Sequence, residues 1–226
     1  MRATHDILHV WKQFDSHPME TLTKAWYSVI SGEGKQRSIE VMEEHRDRYG
    51  LSGNCFDLAL WLIHNCKSNG INAYGIGHDL HTPKAHVAVI AINHKGRRYF
   101  CDLGDQWIEP ILIDSTSQDY CEDELEGFVT GGKVRAETIN EGIRFAYIRS
   151  NGKVSYQSFD LTPIPADELM AAANYSQSLL RHPLVEMRLK KTNEIVHWEF
   201  DSWNSFESGS EGLILESKLE NDEQWA

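Results

Sequence analysis

The sequence has few of the features that mark secreted, membrane or nucleic-acid-binding proteins. It contains four cysteines, Cys55, Cys66, Cys101 and Cys121, and no CxxC pair. Such sparse cysteines do not form the framework of a disulfide-stapled domain, so free thiols are expected. There is no apolar run of about 18 residues and no continuous apolar segment at the N-terminus. These absences predict a cytoplasmic protein without a membrane partner.

Basic residues are also scarce. The chain has 22 Lys and Arg against 34 Asp and Glu, which gives a net charge of -12. Proteins that bind nucleic acid through its phosphates need clustered Lys and Arg, so no nucleic-acid partner is expected. The 226 residues, 41% of them hydrophobic, can bury the core of a globular domain.

The order of hydrophobic patterns predicts an α+β fold. Helical spacing is found in the N-terminal part, where the third helix is apolar on nearly all sides and is therefore expected to be buried. Strand patterns follow, then another helix and a final strand pair. The predicted helices are 18–30, 38–49, 54–67 and 165–180, and the predicted strands are 71–77, 87–92, 97–103, 143–148, 153–159, 184–189 and 195–200.

These patterns are consistent with a single domain over residues 1–206. Its parts are a helical region of about residues 1–68, a strand-rich region of about 69–160, and a C-terminal helix with strands at about 161–206. Residues 207–226 are acidic and rich in serine, which predicts a mobile or loosely docked tail.

Cys55 is the first candidate for chemistry because it lies at the predicted start of the buried helix. A helix N-terminus presents unpaired N–H groups and a partial positive charge, which favour a nucleophilic thiolate. A hairpin centred on His94 would pair residues whose numbers add up to 188, and so would place His86 opposite Asp102. The three side chains could then act as nucleophile, base and orienting carboxylate. On spacing alone, a buried structural cysteine and two ordinary strand-end residues explain the pattern equally well.

Several segments resemble the arylamine N-acetyltransferases, within the transglutaminase-like and papain-like Cys-His-Asp superfamily. The family's RGGxCxE, histidine-strand and YLVDVGFG motifs are matched by Gly53-Asn54-Cys55-Phe56-Asp57, Ala85-His86-Val87-Ala88-Val89 and Tyr99-Phe100-Cys101-Asp102-Leu103-Gly104. The chain departs from the family in having Leu51-Ser52 in place of Arg-Gly and Asp105-Gln106 in place of Phe-Gly.

The resemblance implies a transglutaminase-like, cysteine-proteinase-like core and a catalytic triad of Cys55, His86 and Asp102. It also implies a thiol acyltransferase that moves an acetyl or other acyl group from acyl-CoA, through an acyl-enzyme, to a small-molecule amine. Two alternatives stay open: a transglutaminase-like amidase or peptidase, and a non-catalytic member of the fold.

Two further patterns bear on ligands. Gly131, Gly132 and Lys133 could approach the phosphates of acetyl-CoA through backbone N–H groups, although such a tripeptide also occurs in ordinary turns. The histidines at 78, 81 and 86 have no common metal-ligand spacing, so no metal is expected.

Overall fold

The computed structural model describes residues 3–140, 142–149, 151–180, 183–218, 220–221 and 223. Within these residues the α+β prediction is confirmed. The helices are α1 (His5–Lys12), α2 (Leu22–Ser31), α3 (Ile39–Tyr49), α4 (Cys55–Ser68) and α5 (Ala166–Ser178). The strands are β1 (Met19–Glu20), β2 (Asn72–His78), β3 (His86–Ile92), β4 (Arg98–Cys101), β5 (Ile111–Leu112), β6 (Lys133–Ile139), β7 (Gly142–Ile148), β8 (Val154–Asp160), β9 (Leu184–Lys190), β10 (Ile195–Asp201), β11 (Asn204–Gly209) and β12 (Gly212–Leu215).

The strands form three antiparallel sheets. Their orders are β2-β3-β4-β5, β6-β7-β8 and β1-β9-β10-β11-β12. Helix α4 packs on β2 and β3 and is buried along most of its length, as its apolar pattern predicts. No helix of the described residues is long and apolar enough to cross a membrane.

An aromatic cluster fills the core next to the N-terminal end of β3. The ring centroids of Phe100 and Phe145 lie 4.3 Å apart, and Phe159 and Trp107 pack edge-on or tilted against them. All four side chains are fully buried. These contacts hold β4, β7 and β8 together beneath the end of the sheet where the histidine strand begins.

The predicted register of the β3–β4 hairpin is wrong by two residues. Val89 pairs with Cys101 and Ile92 with Arg98, so paired numbers add up to 190 instead of 188. The loop is longer than predicted because the side chain of Asn93 accepts from two backbone N–H groups within it and Gly96 takes a left-handed conformation. A shift of two residues keeps every side chain on its predicted face, whereas a shift of one would not.

Two predictions about chain segments also need correction. The first residues of the predicted helix over 18–30 form β1 instead, where Met19 pairs with Glu186 on β9. The helix itself begins only at Leu22. The prediction of a loosely docked tail is wrong through Glu216, because β11 and β12 extend the third sheet and the N–H of Glu216 donates to Ser205. Residues 219, 222 and 224–226 of the predicted tail lie outside the described residues.

The buried carboxylate of Asp57 fixes the N-terminus of α4. Its Oδ1 accepts from Gln36 Nε2 at 2.7 Å and forms an ion pair with Arg37 Nη2 at 3.2 Å. Its Oδ2 accepts from the backbone N–H of Asn54 at 3.0 Å and from Gln177 Nε2 at 2.8 Å. One side chain therefore connects the start of α4 to the segment before α3 and to α5.

The same cluster explains the glycine before the helix. A Cβ at Gly53 would lie 2.3 Å from Asp57 Oδ2 and 2.4 Å from Arg37 Nη2, and the backbone there has a φ of +107°. Arg37 also donates to the carbonyl oxygen of Ser52 at 2.8 Å. The turn that leads into the helix is thus held by a buried cation and fits only a residue without a side chain.

Breaking this ion pair should destabilise the whole domain. Asp57→Ala leaves the Arg37 guanidinium buried without its anion, so the free energy of unfolding should fall by about 3–5 kcal/mol. The exposed pair between Glu44 and Arg48, with a 2.7 Å contact, is the matched control, because Glu44→Ala should cost at most about 0.5 kcal/mol. Urea denaturation monitored by tryptophan fluorescence measures both, and equal losses would contradict the assigned role of Asp57.

Candidate active site

The Cys55 thiol lies at the first residue of α4 and borders a cavity of about 300 Å³. Asn54 caps the helix: its side-chain oxygen accepts from the N–H groups of Phe56 and Asp57 at 2.8 and 3.2 Å. Cys55 is partly exposed, whereas Cys66 and Cys101 are buried. Of the two thiols on α4, Cys66 is buried and Cys55 borders the cavity.

His86 and Asp102 meet although they are not paired across the strands. His86 Nε2 and Asp102 Oδ2 are 2.8 Å apart, and Asp102 is fully buried. His86 begins β3 and Asp102 follows the end of β4, so the contact is diagonal, as the shifted register requires. The other oxygen, Asp102 Oδ1, accepts from the backbone N–H of Asp105 at 3.0 Å. Both carboxylate oxygens are therefore held in place.

The imidazole of His86 also contacts the thiol. The thiol of Cys55 contributes to the raised pKa of the ring, and Nε2 faces Asp102, so Nδ1 is the nitrogen left for sulfur. Gly104 makes this approach possible, because a Cβ there would lie 2.7 Å from the Cβ of Cys55 and 2.7 Å from Cε1 of His86. The structure thus brings together the three residues that the sequence singled out.

The electrostatic environment favours a protonated His86. Burial lowers the pKa of the ring, but the negative charges of Asp102 and Asp105 and the hydrogen bonds outweigh it and hold this pKa well above its ordinary value. An imidazolium beside a sulfur atom stabilises the thiolate. The site can therefore hold a thiolate–imidazolium pair.

Sequence reasoning missed a set of carboxylates beside this site. The side chain of Asp105 is 33% exposed, and its Oδ1 lies 3.8 Å from His86 Nε2. Glu186 also lines the thiol cavity, although it comes from β9, far along the chain. The sequence could have pointed to Asp105, because Asp105-Gln106 replaces the Phe-Gly of the family motif. No local sequence pattern points to Glu186.

Gly131, Gly132 and Lys133 do not lie among the residues that line the thiol cavity. They line a separate cavity of about 600 Å³. Gly131 has a φ of +74°, and a Cβ there would lie 2.7 Å from the carbonyl oxygen of Gly209, so packing against the β11–β12 turn accounts for this glycine. Lys133 Nζ lies 3.4 Å from Glu124 Oε2.

Among the His, Cys, Asp and Glu side chains of the described residues, one group has donor atoms close enough to hold a metal ion. It is formed by His86, Asp102 and Asp105, whose donor atoms lie within 4.8 Å of one another. His86 and Asp102 already contact each other, and Asp105 is an adjacent carboxylate.

Neither a protein-family model nor a curated protein sequence matches the chain. Solved structures do match it, over nearly its whole length. The arylamine N-acetyltransferase of Mycobacterium marinum aligns over 98% of this chain and 83% of its own, with a TM-score of 0.73 and 12% identity. Arylamine N-acetyltransferase C of Bacillus anthracis aligns over 100% of this chain and 89% of its own, with a TM-score of 0.65 and 16% identity.

A third match is an arylamine N-acetyltransferase of Bacillus cereus, described as having a Cys-His-Glu catalytic triad. It aligns over 99% of this chain and 87% of its own, with a TM-score of 0.68 and 13% identity. The chain therefore has the arylamine N-acetyltransferase fold, which is transglutaminase-like, and the fold implied by the sequence motifs is confirmed.

The contact at Gly104 leads to a testable expectation. Gly104→Ala should push the thiol and imidazole apart, so alkylation of Cys55 by iodoacetamide at pH 6 should slow by at least about tenfold, since less thiolate forms. Peptide mass mapping measures the rate, with the partly exposed Cys121 as an internal reference. An unchanged rate in a variant with native circular dichroism would show that the two groups are not coupled.

Proposed function

We propose that the protein is a thiol acyltransferase with Cys55 as nucleophile, His86 as base and Asp102 as orienting residue. Cys55 accepts an acyl group from a thioester such as acetyl-CoA and passes it to a small-molecule amine. The observation that carries this proposal is the thiol at a helix N-terminus, facing a cavity and backed by an imidazole that is held 2.8 Å from a buried carboxylate. The four free cysteines fit a reducing, cytoplasmic setting.

Each half-reaction is an acyl transfer at one carbonyl carbon. His86 takes the thiol proton, sulfur attacks the thioester carbonyl, and the carbon–sulfur bond to CoA breaks as CoA leaves with the proton from His86. The N–H of Cys55 suits the oxyanion, whereas those of Phe56 and Asp57 donate to the side chain of Asn54. In the second half the amine nitrogen attacks the acyl-enzyme, its proton passes to His86, and the Cys55 thiol is regenerated.

The acyl donor needs a site for its anionic end. The Mycobacterium marinum enzyme has been solved in complex with CoA. In this chain Gly131 and Gly132 line two cavities, of about 600 and 430 Å³. Lys133 lines the first, and Arg149 and Lys153 line the second. Because packing explains Gly131, these cations are the stronger support for donor phosphates here.

Acylation of Cys55 is directly measurable. Intact-mass spectrometry after brief incubation with acetyl-CoA should show one acetyl adduct on the native chain and none on Cys55→Ala, because sulfur is the acceptor. Cys121→Ala is the control and should retain the adduct. Absence of an adduct on the native chain would refute acyl transfer from CoA and favour amide cleavage or a non-catalytic role.

The role of Asp102 can be separated from its structural contribution. Asp102→Asn keeps the size of the side chain but removes the charge that orients and stabilises the imidazolium, so turnover should fall by a factor on the order of 10³ to 10⁴. The pH profile of Cys55 alkylation should also move toward that of an ordinary thiol. Full turnover in this variant would remove Asp102 from the triad.

A further inference from the structure

A second cavity, of about 460 Å³, opens beside the one that holds the thiol. Asp105 and Glu186 line both cavities, so the two cavities adjoin at these carboxyl groups. Phe128 and Tyr147 supply aromatic walls. Aromatic walls suit the apolar stem of a ligand and also attract a cation through the ring faces.

The lining of this cavity carries more negative than positive charge. Asp105, Glu186 and Glu199 face it with one guanidinium, that of Arg149. Arg188 lies two residues from Glu186 on β9, but its guanidinium donates to the carbonyl oxygens of Trp107 and Phe14, each at 2.7 Å. Two negative charges of the lining are therefore not balanced by arginine or lysine.

Two of these carboxylates are placed against each other by the sheet itself. Glu186 on β9 and Glu199 on β10 are direct cross-strand partners. Like charges in that relation destabilise a sheet. His197 Nε2 lies 3.2 Å from Glu186 Oε2, yet within the part of the chain that the structure describes it is buried without a hydrogen bond of normal geometry. A ligand cation would relieve this repulsion.

The pKa values report the same imbalance. Burial raises the pKa of Asp105, His86 and His197 lower it, and Asp102 and Glu186 raise it, with a net result of about 7. Burial, Glu186 and Asp201 raise the pKa of Glu199, and His197 and Arg149 lower it, again with a net pKa of about 7. In the absence of a bound cation, both carboxyl groups therefore ionise at a higher pH than an ordinary carboxyl group.

We propose that this cavity binds the ammonium end of an aliphatic diamine or polyamine, and that the other amino group of the same molecule is the acyl acceptor at Cys55. The proposal rests on the proposed function and specifies its acceptor. It depends on the shared wall of the two cavities and on the opposed carboxylates of Glu186 and Glu199.

Two nitrogen atoms are needed because they do different work. The nitrogen that attacks the thioester must carry a lone pair, so it reacts as the neutral amine. Its nitrogen–carbon bond forms, the carbon–sulfur bond to Cys55 breaks, and its proton passes to His86. The second nitrogen, with a pKa of about 10 in water, stays protonated and anchors the molecule among the carboxylates. An arylamine is neutral at pH 7 and would gain nothing from them.

Binding can be tested without turnover. Isothermal titration of the native chain with 1,4-diaminobutane, 1-aminobutane and aniline should show the diamine binding at least about tenfold more tightly than neutral aniline. The monoamine also carries an ammonium group and should bind more tightly than aniline as well. The affinity of the diamine should fall from pH 8 to pH 6, because Asp105 and Glu199 become protonated while the diamine keeps its charges.

Two matched variants test whether Glu199 is responsible for the diamine preference. Glu199→Gln should reduce the preference for diamine to about twofold or less and raise KM for diamine acetylation with little change in kcat. It should also raise the melting temperature at pH 8 more than at pH 5, since the folded-state penalty of a carboxyl with a raised pKa is present only when it ionises. Glu43→Gln, on the exposed side of α3, is the control and should change none of these.

The outcomes separate this proposal from the proposed function. A native chain that binds diamine no more tightly than aniline, or a preference that survives Glu199→Gln, overturns the cation subsite even when Cys55 is acetylated normally. Preferential diamine binding without any acetyl adduct refutes acyl transfer, and with it the acceptor role, while the subsite stands. Acetylated diamine as the favoured product, with the preference lost in Glu199→Gln, supports both.

Discussion

The carboxylate of Asp57 is the constraint on which the candidate site depends. Four groups donate to it or pair with it in the interior, and they come from three separate parts of the chain. Burying a carboxylate and a guanidinium costs several kcal/mol in lost hydration, which is recovered only when geometry and hydrogen bonding are nearly complete. Any movement of the α4 N-terminus would break several of these contacts together. The buried hydrogen bonds and ion pair of Asp57 therefore fix the position of Cys55.

The histidine and its carboxylate lie just beyond the paired part of the β3–β4 hairpin. Backbone pairing ends at Val89 and Cys101, so neither His86 nor Asp102 is held by that ladder. Asp102 is held instead by burial and by the N–H of Asp105, while β2 pairs with His86 from the other side. This freedom from strict cross-strand pairing lets the carboxylate reach the imidazole diagonally, in a register that the sequence arithmetic did not predict.

Local patterns predicted most of the fold, and they failed where the cause lies in distant contacts. The amphipathic and apolar periods of α3, α4 and α5 and the strand patterns of β2, β3, β7 to β10 are strong enough to be read from the sequence. Strands β11 and β12 were missed because acidic, serine-rich segments are typical of disorder, and only the pairing of β11 with β10 and of β12 with β11 makes them strands. Cys55, His86 and Asp102 could be singled out because each lies in a recognisable motif, whereas Glu186 and Glu199 face the cavities only through tertiary packing.

The two carboxylates nearest His86, those of Asp102 and Asp105, differ in burial and hydrogen bonding, and this difference gives them different roles. Asp102 is fully buried and both of its oxygens are hydrogen-bonded, so it is committed to holding the imidazole. Asp105 is its near neighbour but is open to two cavities, where burial raises its pKa to about 7 instead of fixing its charge. A catalytic imidazole needs one committed carboxylate, and a second one nearby only adds repulsion unless a cation is present. The presence of Asp105, Glu186 and Glu199 around one cavity is therefore better explained by the charge of a ligand than by the stability of the fold.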